Sequence, residues 1–274
     1  MISFEDLTTS FQARHLEVPI ERAVSVALRT PAGAAAASLK EHNFDQAPVM
    51  VGPEVVGYVL RARLEELAES APVSAALCEL RPGVLVSGDA PIADLLNWIV
   101  IPRLLFVLAG NRVSGFVTVF DFNKQPARAY LYWLFAGLEM ALGELVRRCY
   151  GVTQDGMLGF LADQQAGAIR RARDKDREAN AEGDLVSYMT LAHLLRIAGA
   201  DPRVGGVAGV ENPEDWDREV RTLTRLRNSV MHPIREVVGR DRSVEELRAL
   251  ERRTRWLLEA CLMALGGTSM GVVV

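Results

Sequence analysis

Two short segments carry the side chains best suited to chemistry. The first is Gly115-Phe116-Val117-Thr118-Val119-Phe120-Asp121. A helix that starts here would turn its free N–H groups and the positive end of its dipole toward a phosphate. The Thr118 hydroxyl could add a hydrogen bond to that phosphate, and the Asp121 carboxylate, one turn later, could accept from two ribose hydroxyls. The same two residue types are also ordinary helix N-caps. The second segment is Leu226-Arg227-Asn228-Ser229-Val230-Met231-His232-Pro233. An imidazole exchanges protons near neutral pH. A guanidinium can hold a phosphate and stabilise the extra charge of its transition state. Arg227 and His232 thus supply parts for cleaving RNA. Cys78, Cys149 and Cys261 are few and far apart, so no zinc site is expected.

The helix that would carry the second segment complicates this reading. At about 100° per residue, Arg227 shares a face with Trp216, Val220, Leu223 and Val230. His232 lies about 140° away on an ideal helix, on the side of Arg218, Arg221, Arg225 and Asn228. Arg227 therefore needs an acidic partner or a subunit interface, and Glu139 and Glu144 are the candidates for the first. Pro233 should end the helix at His232. One chain cannot easily aim both residues at one phosphate, whereas a two-fold homodimer could. Arg218, Arg221 and Arg225 form a stripe suited to an RNA backbone. The same stripe also reads as a solvated face, because Glu214 and Asp217 lie on or near it.

The elements that must position these segments fall into two halves. Ala47-Pro48-Val49-Met50-Val51, the turn Gly52-Pro53-Glu54 and Val55-Val56-Gly57-Tyr58-Val59-Leu60 return 58 residues later as Leu105 to Ala109, Gly110-Asn111-Arg112 and Val113 to Thr118. Each unit reads as strand, tight turn, strand. Helix-like segments precede the hairpins at 32–41 and 92–100 and follow them at 61–69 and 120–124. Such a βαββα unit cannot bury its apolar face alone, so stacking of the two copies is expected. From Ala127 the apolar spacing becomes helical, with Leu131, Leu134, Leu138, Leu142 and Leu145 in one series. Further helices are expected at 157–178, 185–198 and 244–265, the last capped by Ser243 and Glu246. Together with the helix through Trp216 they make a bundle of four or five. Residues 201–213, rich in glycine, read as a loop. The short stretch 122–129 leaves little slack between the halves.

The duplicated unit resembles a tandem pair of cystathionine-beta-synthase-type (CBS) repeats, with Thr118 and Asp121 on the family's Gly-x-x-Thr/Ser-x-x-Asp element. The resemblance implies a sensor for an adenine nucleotide (AMP, ADP or ATP), with Thr118 at the phosphate, Asp121 at the ribose, and the segment Val86-Ser87-Gly88-Asp89, with Ser87 and Asp89, at the base. The first repeat has Leu60 and Arg63 at the matching positions, so one competent site per chain is expected. The helical half, through its Arg-x4-His string, resembles HEPN domains, many of which are metal-independent ribonucleases. The expected fold class is therefore α+β. An N-terminal extension at 1–19 would precede a CBS pair at 20–125 (repeats 20–70 and 80–125), followed by a HEPN-like bundle at 127–265 and a loose tail at 266–274. The implied function is a nucleotide-sensing CBS module controlling a HEPN-type ribonuclease. The alternative is a non-catalytic sensor whose helical domain binds RNA or a partner protein.

Composition is compatible with both. Of 274 residues 49% are apolar and 24% charged, which is ample for a core. The net charge of -4 does not by itself call for nucleic acid or a membrane. The distribution is more telling: up to Pro126 there are 10 bases and 14 acids, and beyond it 21 of each, 20 of those bases being Arg. Arginine suits phosphate recognition, although a coding bias would produce the same excess, since the chain has only three lysines. The start lacks a signal-peptide pattern. The apolar stretch 95–108, broken by Asn97, Pro102 and Arg103, is too short for a bilayer. A cytoplasmic location is expected.

Overall fold

A computed structural model describes residues 9–101, 103–151, 154–181, 183–208 and 213–266. The chain forms two compact units, Phe11–Lys124 and the stretch from Gln125 onward. The fold class is mixed α+β.

In the first unit the duplication is complete down to its irregularities. The first repeat runs β2 (Val26–Ala27), α1 (Ala32–Glu41), β3 (Gln46–Val51), β4 (Glu54–Leu60) and α2 (Arg61–Glu65). The second runs β5 (Leu85–Ser87), α3 (Ile92–Trp98), β6 (Leu104–Ala109) and β7 (Arg112–Thr118). In each, the short first strand lies parallel to the second, and the hairpin that follows is antiparallel. The hairpins share one register, Gln46 opposite Leu60 and Leu104 opposite Thr118, and both slip at the same place, after Val49 and after Val107. A bulge kept at equivalent positions twists both sheets alike. In the first repeat Val26, Ala35, Leu39, Val49, Val59 and Leu64 are buried together. Phe106, Leu104 and Val84 of the second pack with Tyr58 and Phe116.

Three sequence-based expectations change here. The helix after the first hairpin ends at Glu65, and the one after the second is a 3-10 helix, Val119–Asn123. The first 19 residues are not simply an extension, since β1 (Val18–Pro19) joins the second repeat's sheet beside β7, giving the order β1-β7-β6-β5. Cys78, leading into the second repeat, bridges in the same way to Tyr58 of the first. Each repeat thus receives the strand that precedes the other. Glycine makes both approaches possible: a Cβ on Gly115 would lie 2.4 Å from the Val18 carbonyl oxygen, and one on Gly57 2.5 Å from that of Cys78.

The second unit is helical: α4 (Gln125–Tyr150), α5 (Asp163–Glu178), α6 (Leu191–Ala200), α7 (Pro202–Ala208), α8 (Pro213–Met231) and α9 (Val244–Ala264). Among the described residues that is one more than the five expected, because the predicted loop is partly helical; two predicted helices also begin late. Gln154–Phe160 and Leu185–Tyr188 are 3-10 turns, and α6 starts only after Thr190, which caps it reciprocally with His193. The stretch read as a glycine-rich loop opens with α7. Asp201 caps it, its Oδ1 accepting from Arg203 N at 3.0 Å, and Pro202 takes the first helical position, where its missing N–H costs nothing. Residues 209–212 and 267–274, the latter nearly all of the expected tail, lie outside the described residues.

Helix α4 is the spine of this unit, with Leu131, Leu134, Leu138 and Leu142 buried along it. It is also, among the described residues, the one helix long and apolar enough to cross a membrane, with 56% of its most apolar window buried within the protein.

Candidate functional site

At the end of β7 the backbone turns from extended (Thr118, φ -110°, ψ 170°) into the 3-10 turn that carries Asp121. Asp121 Oδ2 accepts from Thr118 N at 2.6 Å and from Thr118 Oγ1 at 2.8 Å, and the Thr118 side chain in turn accepts from the Asp121 backbone. Oδ1 lies 2.8 Å from Lys124 Nζ, which also donates to the Leu16 and Glu17 carbonyls. Asp121 is 7% exposed. Both oxygens of the carboxylate and the Thr118 hydroxyl are thus already engaged, in the capping arrangement. A ribose would reach Oδ1 only by replacing the Lys124 ammonium.

The same repeat carries an open hollow of about 360 Å3, lined by Pro82, Gly83, Leu85, Val86, Trp98 and Leu105. Leu105 pairs with Val117, the residue before Thr118. The walls are apolar and Trp98 is exposed, an arrangement that suits the face of a planar ring. Of the segment expected to meet a base, Val86 lines the hollow. Ser87 and Asp89 are instead joined by an Asp89 N to Ser87 Oγ hydrogen bond of 3.2 Å, and Asp89 pairs with Arg14 at 2.7 Å. In the first repeat Arg63 donates to Cys78 Sγ at 3.5 Å.

The second predicted site is spread over two faces of α8. Arg227 turns toward α4, its Nη2 lying 3.6 Å from Glu139 Oε2, with both side chains about a quarter exposed. This is the acidic partner its apolar surroundings demand. The Arg227 Nε is buried without a hydrogen-bond partner. Arg218, Arg221 and Arg225 are exposed on the other face, Arg218 pairing with Asp215 at 2.5 Å. Asn228 is half-buried, and its carbonyl accepts from His232 N at 3.2 Å. His232 follows the last residue of the helix and is exposed. Within one chain Arg227 and His232 do not share a surface.

The turn carrying His232 is held from below by Arg128, a residue that sequence periodicity does not single out. Its guanidinium, 5% exposed, donates to the Ser229 carbonyl at 2.9 Å and to the Arg235 carbonyl. Burial pushes its pKa below the ordinary arginine value. A buried cation here satisfies carbonyls that the end of α8 would otherwise leave without donors. Among the described residues no cluster of His, Cys, Asp and Glu could hold a metal.

Comparison with known proteins supplies one kind of match. No family model matches the chain. No curated protein matches it. Solved structures do. The CBS domain of the bacterial CNNM/CorC family Mg2+ transporter in complex with ATP is 14% identical, over 47% of this chain and 92% of that one, with a TM-score of 0.39. A hemolysin-like protein containing a CBS domain from Oenococcus oeni PSU is 15% identical, over 43% and 94%, with a TM-score of 0.36. CBSX2 in complex with AMP is 18% identical, over 44% and 96%, with a TM-score of 0.37. These likenesses are to CBS-domain proteins. They extend over less than half of this chain.

Proposed function

We propose that this protein is a nucleotide-responsive regulator in which Phe11–Lys124 acts as a CBS pair and the helical unit engages RNA. The sensing half of the reading is supported by the doubled βαββ topology with its shared register and by the apolar hollow at Val86, Trp98 and Leu105 in the second repeat. The ligand class is the one the sequence resemblance implies, an adenine nucleotide (AMP, ADP or ATP). Its ring would lie against Trp98 and its ribose would take the Asp121 oxygen that Lys124 now holds. Ser87 and Asp89 would form the rim.

The observation that carries the RNA half is the division of labour on α8. Arg227 is committed inward to Glu139, while Arg218, Arg221 and Arg225 remain exposed in a row that ends at the exposed His232. A row of guanidiniums spaced by helical turns can follow a phosphate backbone. Electrophoretic mobility shift with mixed RNA tests this. Replacing Arg221 and Arg225 together by Gln should weaken binding and flatten its salt dependence; unchanged binding would remove the reading.

A second reading, RNA cleavage of the HEPN type, is favoured by one feature: the His232 imidazole stands in solvent at the end of that row, on a turn held by Arg128. Because Arg227 faces away, cleavage by Arg227, Asn228 and His232 requires a homodimer that brings two such motifs together. Metal-independent cleavage abolished by His232→Ala would establish it. Intact RNA that still binds would leave the regulator without catalysis. For control of either output, the nucleotide must bind two states of the protein with different affinity. An adenine nucleotide that changes RNA affinity or cleavage rate is the expected result.

A further inference from the structure

Where α8 ends, the chain makes a compact loop before α9, closed by the bridge between Gly239 and Arg242. Loop and helix enclose an open cleft of about 450 Å3, whose lining includes Arg225, Ser229, Arg235, Glu236, Asp241 and Arg242. We propose that this cleft is a binding site for a phosphate monoester, held by the guanidiniums of Arg225, Arg235 and Arg242 with the Ser229 hydroxyl.

Arg242 is the reason. It is 8% exposed, yet the partner of its guanidinium is a backbone carbonyl, Val237 O, at 3.0 Å. Among the described residues, the ion pairs include none made by Arg225, Arg235 or Arg242. A buried cation with no carboxylate in direct contact is costly, and such groups are normally paired. Burial, with Arg225 nearby adding like-charge repulsion against the pull of Glu246 and Asp241, lowers the Arg242 pKa. Two further guanidiniums, those of the exposed Arg225 and Arg235, line the same cleft. Three guanidiniums line this one cleft, and an oxyanion hydrogen-bonded by planar guanidinium forks is their complement.

The acids do not fill that role themselves. Glu236 is exposed and folds over the loop, where a Cβ on Gly239 would stand 1.9 Å from its Oε2. Asp241 is exposed at the mouth. The loop is held independently of any ligand, by Arg128 at the Ser229 and Arg235 carbonyls and by Gly239 N to Arg242 O at 2.9 Å. Ligand and fold are therefore separable. Apart from Arg225, none of these side chains belongs to the RNA track, and the site does not depend on RNA binding.

Phosphate esters reach such a cleft either as free small molecules or at the end of an RNA strand, and the test separates the two. Calorimetric titration of the full chain with inorganic phosphate should show saturable binding. Arg225→Gln, at an exposed position that leaves the fold intact, should weaken it by about tenfold, the value of one charge-assisted hydrogen bond. Arg242→Met should do the same, and Glu236→Gln should tighten binding. Arg170→Gln, an exposed arginine on α5, should change nothing. No binding by the native chain, or equal weakening by Arg225→Gln and Arg170→Gln, would overturn the proposal. In a second arm, RNA with a 5′-phosphate is compared with the same strand ending in a hydroxyl. A preference that disappears in Arg225→Gln identifies the strand end as the ligand. No preference, with phosphate binding retained, identifies a free phosphate ester. Absence of all RNA binding would defeat the proposed function and leave this site standing.

Discussion

Asp121 and Arg242 are both charged and both more than nine-tenths buried, and their surroundings answer the charge in opposite ways. Every donor that Asp121 needs comes from its own turn: Thr118 N, Thr118 Oγ1 and Lys124 Nζ, all within 2.8 Å. Arg242 is hydrogen-bonded to one carbonyl, feels Glu246 and Asp241 only without contact, and lines an open cleft beside another cation. The first charge is completed by the fold. The second waits for something else to complete it. Burial of a charge is therefore no guide to a ligand until its partners have been counted, and counting shifts attention from the residues that resemble a nucleotide motif to residues that resemble none.

The comparison can be broken most directly by mutation. Asp121→Ala removes a cap and strands the Lys124 ammonium, so a loss of about 2–3 kcal/mol is expected in urea unfolding. A loss below that of Arg242→Met would reverse the order argued above. Asp201 sharpens the point as a third buried charge completed by neighbours. Hydrogen bonds from Arg203, against the opposing effect of burial, and one from Tyr150 at 2.5 Å hold its carboxyl at about 2 instead of 3.8. The folded state is then slower to take up the proton than the unfolded chain. This stabilisation should be complete above about pH 4 and disappear as pH falls through about 2. Asp201→Asn should remove roughly 1–2 kcal/mol at neutral pH and flatten the acid limb of stability against pH.

Arg242→Met should cost less, under about 1 kcal/mol, because the desolvation penalty of the cation is relieved as its single hydrogen bond is lost. The smallest effect concerns the nucleotide. Lys124→Met frees Asp121 Oδ1, and affinity for AMP should rise by about threefold, within the value of one modest ion pair. Unchanged affinity in a titration would place the ribose away from Asp121.

Much of the fold is legible in the sequence. The 58-residue period announces the doubled hairpins, since alternating β-branched residues and glycine turns are local signals. The helical spacing after Ala127 announces the bundle for the same reason. The missed elements are those whose signal is weak or shared. Asp201-Pro202 is a sound helix start, yet the glycines behind it suggest a loop. Residues 157–178 keep a helical pattern through Gly159, where the chain makes a 3-10 turn instead. At the candidate sites, spacing alone put Arg227 and His232 on opposite sides of α8 and called for an acid or a subunit interface at Arg227, and Glu139 lies there.

What the sequence determined by itself was periodicity, the duplication, the two motifs and the sign of the charge each helix face carries, because these depend on neighbours within a few residues. Only the tertiary structure decided which charges are satisfied. Lys124 on the Leu16 and Glu17 carbonyls, Arg128 beneath the turn at Ser229 and Arg235, and the company of Arg225 with Arg242 all depend on where side chains meet after the chain has folded back. Hydrogen bonds and ion pairs operate over a few ångströms. Separation along the chain, 101 residues between Arg128 and Ser229, says nothing about them.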